Sequence, residues 1–254
     1  MPPDPAVSGP SWRDRWLERI ALAVDAPAVV DWLTHQERDA FWKHGSVAED
    51  YGAVECPVFA VGGWADAYTN AVPRLLEHLR VPRLGLIGPW GHTMPHEGVP
   101  GPAIAFLEEA VRWWDEWLKG MDTGIMDEPP IRIWLQDYVA PAGFYRVRPG
   151  RWLGLGSWPA ESVEDEDWTL GGEGGLVADG GVRTRPGGAA CPIMLSTDHS
   201  AVQSGVRLVL RGRQECGETA GVWCANGFAD EMAVDQGPDD ERSLCFTSGP
   251  LTEP

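Results

Sequence analysis

Two short apolar runs end in glycine-rich turns, and each turn carries one acid–base side chain. Pro57 to Gly62 leads into Gly63-Trp64-Ala65-Asp66, and Leu84 to Ile87 leads into Gly88-Pro89-Trp90-Gly91-His92. A carboxylate beside an imidazole fixes the ring tautomer and stabilises the imidazolium formed when the ring takes a proton. That is the acid–base half of acyl-transfer chemistry. If both runs are parallel strands, their C-terminal ends emerge on one sheet edge, and side chains 26 residues apart (92 minus 66) can meet there. The residues alone leave an alternative open: Asp66 as the N-cap of a helix and His92 as a loop histidine beside Pro89.

Other titratable residues have plainer readings. His96 lies in Thr93-Met94-Pro95-His96-Glu97, with no apolar run directly before it, and is the rival to His92. His35 and His44 fall in a helical stretch and read as surface or packing residues. Asp115 reads as the partner of a nearby cation on its own helix. The five cysteines (56, 191, 216, 224, 245) include no C-x-x-C pair and read as reduced thiols. Cys216 and Cys224 are conceivable metal ligands, but no histidine completes a zinc spacing, so no metal and no cofactor is expected.

These residues need elements to hold them. Trp12, Trp16, Leu17 and Ile20, then Val29, Val30, Trp32 and Leu33, recur at helical spacing, with a break at Asp25-Ala26-Pro27. Residues 57–62 and 83–88 read as buried strands. Residues 68–80 and 102–119 read as helices, with Pro102 in the first turn of the second and Gly120 at its C-cap. Strand, helix, strand, helix predicts a parallel sheet. Beyond the linker formed by Asp122-Thr123-Gly124 and Asp127-Glu128-Pro129-Pro130, helical periodicity gives way to short runs (131–136, 191–195, 206–210, 243–247) between glycine-rich turns (171–175, 179–181). This predicts an antiparallel β domain, a sandwich lacking an obvious closing strand at Leu251 to Pro254.

Composition narrows the function classes. A formal net charge of -18 disfavours nucleic acid and anionic membranes as partners. No apolar run approaches a membrane span, and Met1-Pro2-Pro3-Asp4-Pro5 lacks the features of a signal peptide, so a cytoplasmic location is expected. Fourteen tryptophans supply large apolar surfaces for packing or for a binding cleft.

Three motifs in order carry a family resemblance: Gly63-Trp64-Ala65-Asp66-Ala67-Tyr68, Gly88-Pro89-Trp90-Gly91-His92, and Arg112-Trp113-Trp114-Asp115-Glu116-Trp117-Leu118-Lys119-Gly120. Together they resemble the CocE/NonD hydrolases, the superfamily of Xaa-Pro dipeptidyl-peptidases, cocaine esterase and α-amino acid ester hydrolases. Weaker likenesses run from Trp32-Leu33-Thr34-His35-Gln36 to Asp239-Asp240 and Ser243-Leu244. The resemblance implies an α/β plus all-β chain. Residues 1–50 would be a helical cap remnant and residues 51–125 the C-terminal part of an α/β-hydrolase core. Residues 126–254 would be a partial jelly-roll β-sandwich. It further implies that Asp66 and His92 are triad members acting through an acyl-enzyme on serine, with a small acyl ester or peptide as substrate.

The chain departs from the family pattern where the nucleophile belongs. No G-x-S-x-G occurs; Gly45-Ser46 and Gly156-Ser157 lack the second glycine. After Phe246 stand Thr247 and Ser248, where the family usually has an aspartate. The chain therefore reads as a fragment without its serine-bearing part, inactive as a hydrolase by itself. Two other readings remain: a non-catalytic β-sandwich that binds a ligand, and a subunit completing a split hydrolase in trans.

Overall fold

The computed structural model describes residues 4–25, 28–161, 163, 167–170, 176–178 and 214–248. The chain divides into two compact units, Met1–Val54 and Glu55–Pro254. The first is helical: α1 Pro5–Ser8, α2 Trp12–Asp25, α3 Ala28–Thr34 and α4 Ala40–Lys43, followed by two short 3₁₀ turns. Its starts are capped by side chains. Asp4 accepts from the Ala6 amide at 2.8 Å, and Asp39 from the Phe41 amide at 2.9 Å. Much of the apolar stripe read from the sequence is exposed, including Leu17, Ile20, Val29, Val30, Trp32 and Leu33.

The second unit is built on a four-stranded sheet, β1 Val58–Gly63, β2 Arg83–Gly88, β3 Ile131–Gln136 and β4 Gly150–Leu155, in that spatial order. β1, β2 and β3 are parallel, and β4 pairs antiparallel with β3. Helix α5 (Ala71–His78) connects β1 to β2, and α6 (Phe106–Lys119) lies between β2 and β3. Side chains alternate across the strands, so the two helices serve opposite faces. Ala60, Ile87 and Ile131 pack with Val72 and Leu76 of α5. Leu84 and Phe59 pack with Trp113 of α6 and with Ile125. Gly85 faces α5 because a Cβ there would stand 2.3 Å from a Leu76 methyl. Arg132 of β3 ties to Glu109 of α6 through two guanidinium–carboxylate hydrogen bonds.

Several expectations need correction. The second helix begins at Phe106 instead of Pro102, because the Pro102 carbonyl is engaged by the Trp90 indole, whose Nε1 donates to it at 2.8 Å. Its end is as read: Gly120 sits at φ 66° as a left-handed C-cap. The stretch expected to be a linker is packed, since Ile125 is fully buried against Leu84 and Trp113. Ile131–Gln136, assigned to the sandwich by its short apolar run, extends the parallel sheet beside β2. The sheet therefore has no break at residue 125. Residues 243–247 form no named strand. A two-stranded antiparallel ribbon, β5 Trp168–Leu170 with β6 Leu176–Ala178, is the remaining pairing of named strands among the described residues. The other runs and turns read as sandwich, 171–175, 179–181, 191–195 and 206–210, lie outside the described residues.

One indole locks the strand ends together. Trp90 is 1% exposed and is caged by glycines. A Cβ on Gly63 would meet its carbonyl oxygen at 2.0 Å, one on Gly98 its ring at 2.0 Å, and one on Gly88 its ring at 2.5 Å. Beyond the strands, the Trp64 amide donates to Gly88 O at 2.9 Å and the Ala65 amide to Trp90 O at 3.0 Å. Truncation by Trp90→Ala should cost about 3–5 kcal/mol of stability in urea denaturation. An unchanged unfolding midpoint would show that the cage is not a packing constraint.

A second knot holds the C-terminal segment, where the short helix α7 spans Gly237–Asp240. The Asp239 carboxylate accepts from the Thr219 hydroxyl, from the Gly217 amide at 3.1 Å and from the Thr219 amide at 3.2 Å. These bonds, the Thr219 hydroxyl first, hold its carboxyl below the ordinary carboxylate range. A lowered folded value stabilises the fold above the unfolded value, and that contribution is lost as pH falls through the folded one. Asp239→Asn should therefore lower the urea midpoint near neutrality, and its deficit should close as the solution is acidified. A deficit that persists in acid would place the effect elsewhere than in the charge.

Candidate active site

Asp66 follows β1 in a turn that fixes both carboxylate oxygens. The Asp66 amide donates to Gly63 O at 3.0 Å, and Thr69 Oγ1 donates to Asp66 O at 2.9 Å. Asp66 Oδ1 accepts from the Tyr68 amide at 2.9 Å. Its other oxygen, Oδ2, lies 3.1 Å from His92 Nδ1. The helix that follows starts at Ala71 with Asn70 at its N-cap, so Asp66 is not a helix cap; one carboxylate oxygen closes the turn and the other faces His92.

His92 is placed by the turn after β2 and by a distant loop. Its amide donates to Ala225 O at 2.6 Å. Gly91 allows that approach, since a Cβ there would stand 2.4 Å from the same oxygen. The loop carrying Ala225 is held by Glu231, whose carboxylate accepts from the Asn226 amide at 2.7 Å and the Phe228 amide at 2.9 Å. Trp223 of this loop meets Tyr68 edge-on, with centroids 5.4 Å apart, and Tyr68 lies 5.8 Å from the His92 ring. The His92 side chain is 52% exposed and that of Asp66 13%. With Nδ1 engaged by the carboxylate, the lone pair of the neutral ring falls on Nε2. This is the arrangement in which an imidazole takes a proton from a nucleophile.

Two cavities adjoin the pair. One of about 680 Å³ is lined by Trp64, Asp66, Tyr145, Arg148 and Trp223. A smaller one of about 290 Å³ brings Asp66 and His92 together with Trp90, Met94 and Phe106. Trp64 is fixed at the larger one by its Nε1, which donates to Trp134 O of β3 at 2.7 Å.

His96, His35 and Asp115 stand apart from this pair. His96 lies in a 3₁₀ turn, and its Nδ1 is buried with no hydrogen-bond partner among the described residues. His35 Nδ1 lies 2.5 Å from Asp39 Oδ2, a contact four residues long that chiefly accounts for the lowering of the Asp39 pKa. Asp39 also caps α4, so this second Asp–His pair is a local helix-start motif. Asp115 pairs with Lys119 at 2.5 Å, one helical turn away. Cys224 is the residue the sequence did not connect to the site. It stands beside Asp66 and His92 because Ala225 anchors the His92 turn, a contact across more than a hundred residues that no local pattern announces.

Among the described residues, no helix is long and apolar enough to cross a membrane.

Comparison with known proteins follows the same residues. The profile of X-Pro dipeptidyl-peptidase (S15 family) matches residues 8–94. Two proteins carrying serine-esterase names, from Mycobacterium bovis and Mycobacterium tuberculosis, are each 29% identical over 117 residues, 43% of this chain. The match spans only 17% of the length of those relatives. A solved CocE/NonD family hydrolase from Staphylococcus aureus superposes with TM-score 0.44 and 15% identity, covering 59% of this chain and 25% of that one. The S15-family match spans both β1 and β2, and together with the serine-esterase relatives it supports assignment of this region to the CocE/NonD hydrolases.

Proposed function

We propose that this chain supplies the acid–base part of a serine-type hydrolase acting on acyl esters or peptides. The observation that supports this reading is the contact of His92 Nδ1 with Asp66 Oδ2 at 3.1 Å, with Asp66 oriented independently by the Tyr68 amide. His92 Nε2 takes the proton of a serine hydroxyl as that oxygen attacks the substrate carbonyl. The imidazolium, stabilised by Asp66, then delivers the proton to the leaving group. An acyl-enzyme remains, and His92 activates the water that hydrolyses it. The sequence has no G-x-S-x-G elbow, so the serine comes from outside these 254 residues. Without its nucleophile a triad retains at most residual catalysis.

The free edge of β1 favours supply of that serine by another polypeptide segment. β1 ends the sheet, and no named strand among the described residues pairs with its outer side. An unpaired parallel-strand edge is a template for strand addition. A serine-bearing strand placed there would lead its C-terminal turn to the edge where Asp66 and His92 stand.

Intact-mass analysis after fluorophosphonate treatment tests the first part. The folded chain alone should take up no adduct. A stoichiometric adduct lost in His92→Ala would place the nucleophile within this chain and overturn the reading of a missing serine. The second part is tested by refolding the chain with a recombinant serine-bearing N-terminal segment of a CocE/NonD hydrolase and measuring nitrophenyl-ester turnover. Turnover should appear and fall about 10⁴-fold in Asp66→Asn. Ligand binding without turnover, unaffected by His92→Ala, would favour a non-catalytic module instead.

A further inference from the structure

Cys224 completes a cluster that acyl transfer does not use. One oxygen of Asp66, one ring nitrogen of His92 and the sulfur of Cys224 all lie within 4.8 Å of one another. A serine-type relay is extended: the ring separates carboxylate from nucleophile, and two hydrogen bonds plus the ring width put them about 7 Å apart. A sulfur this close to the carboxylate is therefore badly placed as a nucleophile in line with the pair. A triangle of three donors is instead the form of a chelate. We infer that Asp66, His92 and Cys224 form a three-ligand site for a zinc-class divalent cation.

The donor chemistry selects the cation. Thiolate, imidazole and carboxylate together suit zinc or cobalt, whereas magnesium and calcium prefer all-oxygen sets. Tetrahedral zinc needs its ligands about 3.3–3.7 Å apart, given metal–ligand distances of about 2.0–2.3 Å. The triangle reaches that spacing with small side-chain movements. Its parts are already oriented: Asp66 by the Tyr68 amide, the Cys224 loop by Glu231, and the two loops by the His92 amide on Ala225 O. The exposed side of His92 leaves a fourth position open to water. On binding, the Cys224 thiol loses its proton to solvent, the His92 ring proton moves from the nitrogen facing Asp66 to the outer nitrogen so that the neutral ring can ligate, and Asp66 binds as the carboxylate. The two negative ligands neutralise the cation's charge. Occupancy diverts both members of the Asp–His pair from proton transfer.

Titration of the purified chain with cobalt(II), followed by absorption spectroscopy, tests this. The expected result is a one-to-one complex with a thiolate-to-cobalt charge-transfer band, lost in Cys224→Ser and bound at least tenfold more weakly in His92→Ala. No such band, or a band that survives Cys224→Ser, overturns the site. A second measurement needs no variant. Zinc should protect Cys224 from iodoacetamide, read by peptide mass, while Cys56, Cys216 and Cys245, all exposed, react as before. Equal alkylation of Cys224 with and without zinc overturns it as well. Both measurements read metal binding and neither reads turnover. Their failure leaves the acid–base reading of Asp66 and His92 standing, and failure of that reading leaves the metal test intact.

Discussion

The position of the Trp90 indole is the constraint on which the site depends. Burying so large a ring between two strand ends is favourable only if the surrounding backbone comes very close. Gly63, Gly88 and Gly98 permit that approach, and the Trp90 carbonyl then receives the Ala65 amide. These bonds continue the β1–β2 ladder past its last strand residues. Asp66, one residue beyond Ala65, and His92, two beyond Trp90, inherit the register. The carboxylate–imidazole contact is in this sense a by-product of packing: the glycines and tryptophan of the two motifs set the geometry in which the two side chains meet.

What the sequence revealed and what it hid follow from the range of the forces involved. The strand–helix–strand–helix order was legible because buried strands and amphipathic helices write their periodicity into neighbouring residues. Asp66 and His92 were legible because a parallel pair of strands brings its C-terminal turns to one edge. The start of α6 was misplaced because a proline suits a first helical turn locally, while the Trp90 indole claims its carbonyl from twelve residues away. Ile131–Gln136 was assigned to the wrong layer because a six-residue apolar run does not say which neighbour it will pair with. The place of Cys224 beside Asp66 and His92 was hidden for the same reason in stronger form, although the sequence admits the residue itself as a metal ligand with Cys216. Its relation to His92 exists only through Ala225 and the Gly91 turn, and neither motif contains a trace of the other.

The same three atoms lend themselves to two kinds of chemistry, and the reason is electrostatic. A carboxylate beside an imidazole favours a positive charge there, which either a ring proton or a metal ion supplies. What separates the outcomes is the third group. A hydroxyl on the far side of the ring makes a relay, and a thiol on the near side makes a chelate. The loop around Cys224 supplies the near-side group, and Glu231 keeps that loop in place through its two amide bonds. A cation held there would compete directly with imidazole-mediated proton transfer.

The outer edge of β1 extends this argument to assembly. A parallel sheet is ordinarily covered on both faces and continued along its ladder, because each unpaired amide and carbonyl of a partly buried edge costs free energy unless water or another strand satisfies it. β2 obtains that continuation from β1 and β3. Among the described residues β1 obtains it on one side only, although Val58, Phe59 and Val61 are already partly buried and the apolar groove beside them is lined by Phe106, Trp113 and Trp114. A strand added to this edge would gain ladder bonds and an apolar seat in the same step. Because the sheet is parallel, it would also deliver its own C-terminal turn to the edge that holds His92. Strand addition and completion of the proton relay would then be one event, with the energy of the first providing the alignment that the second requires.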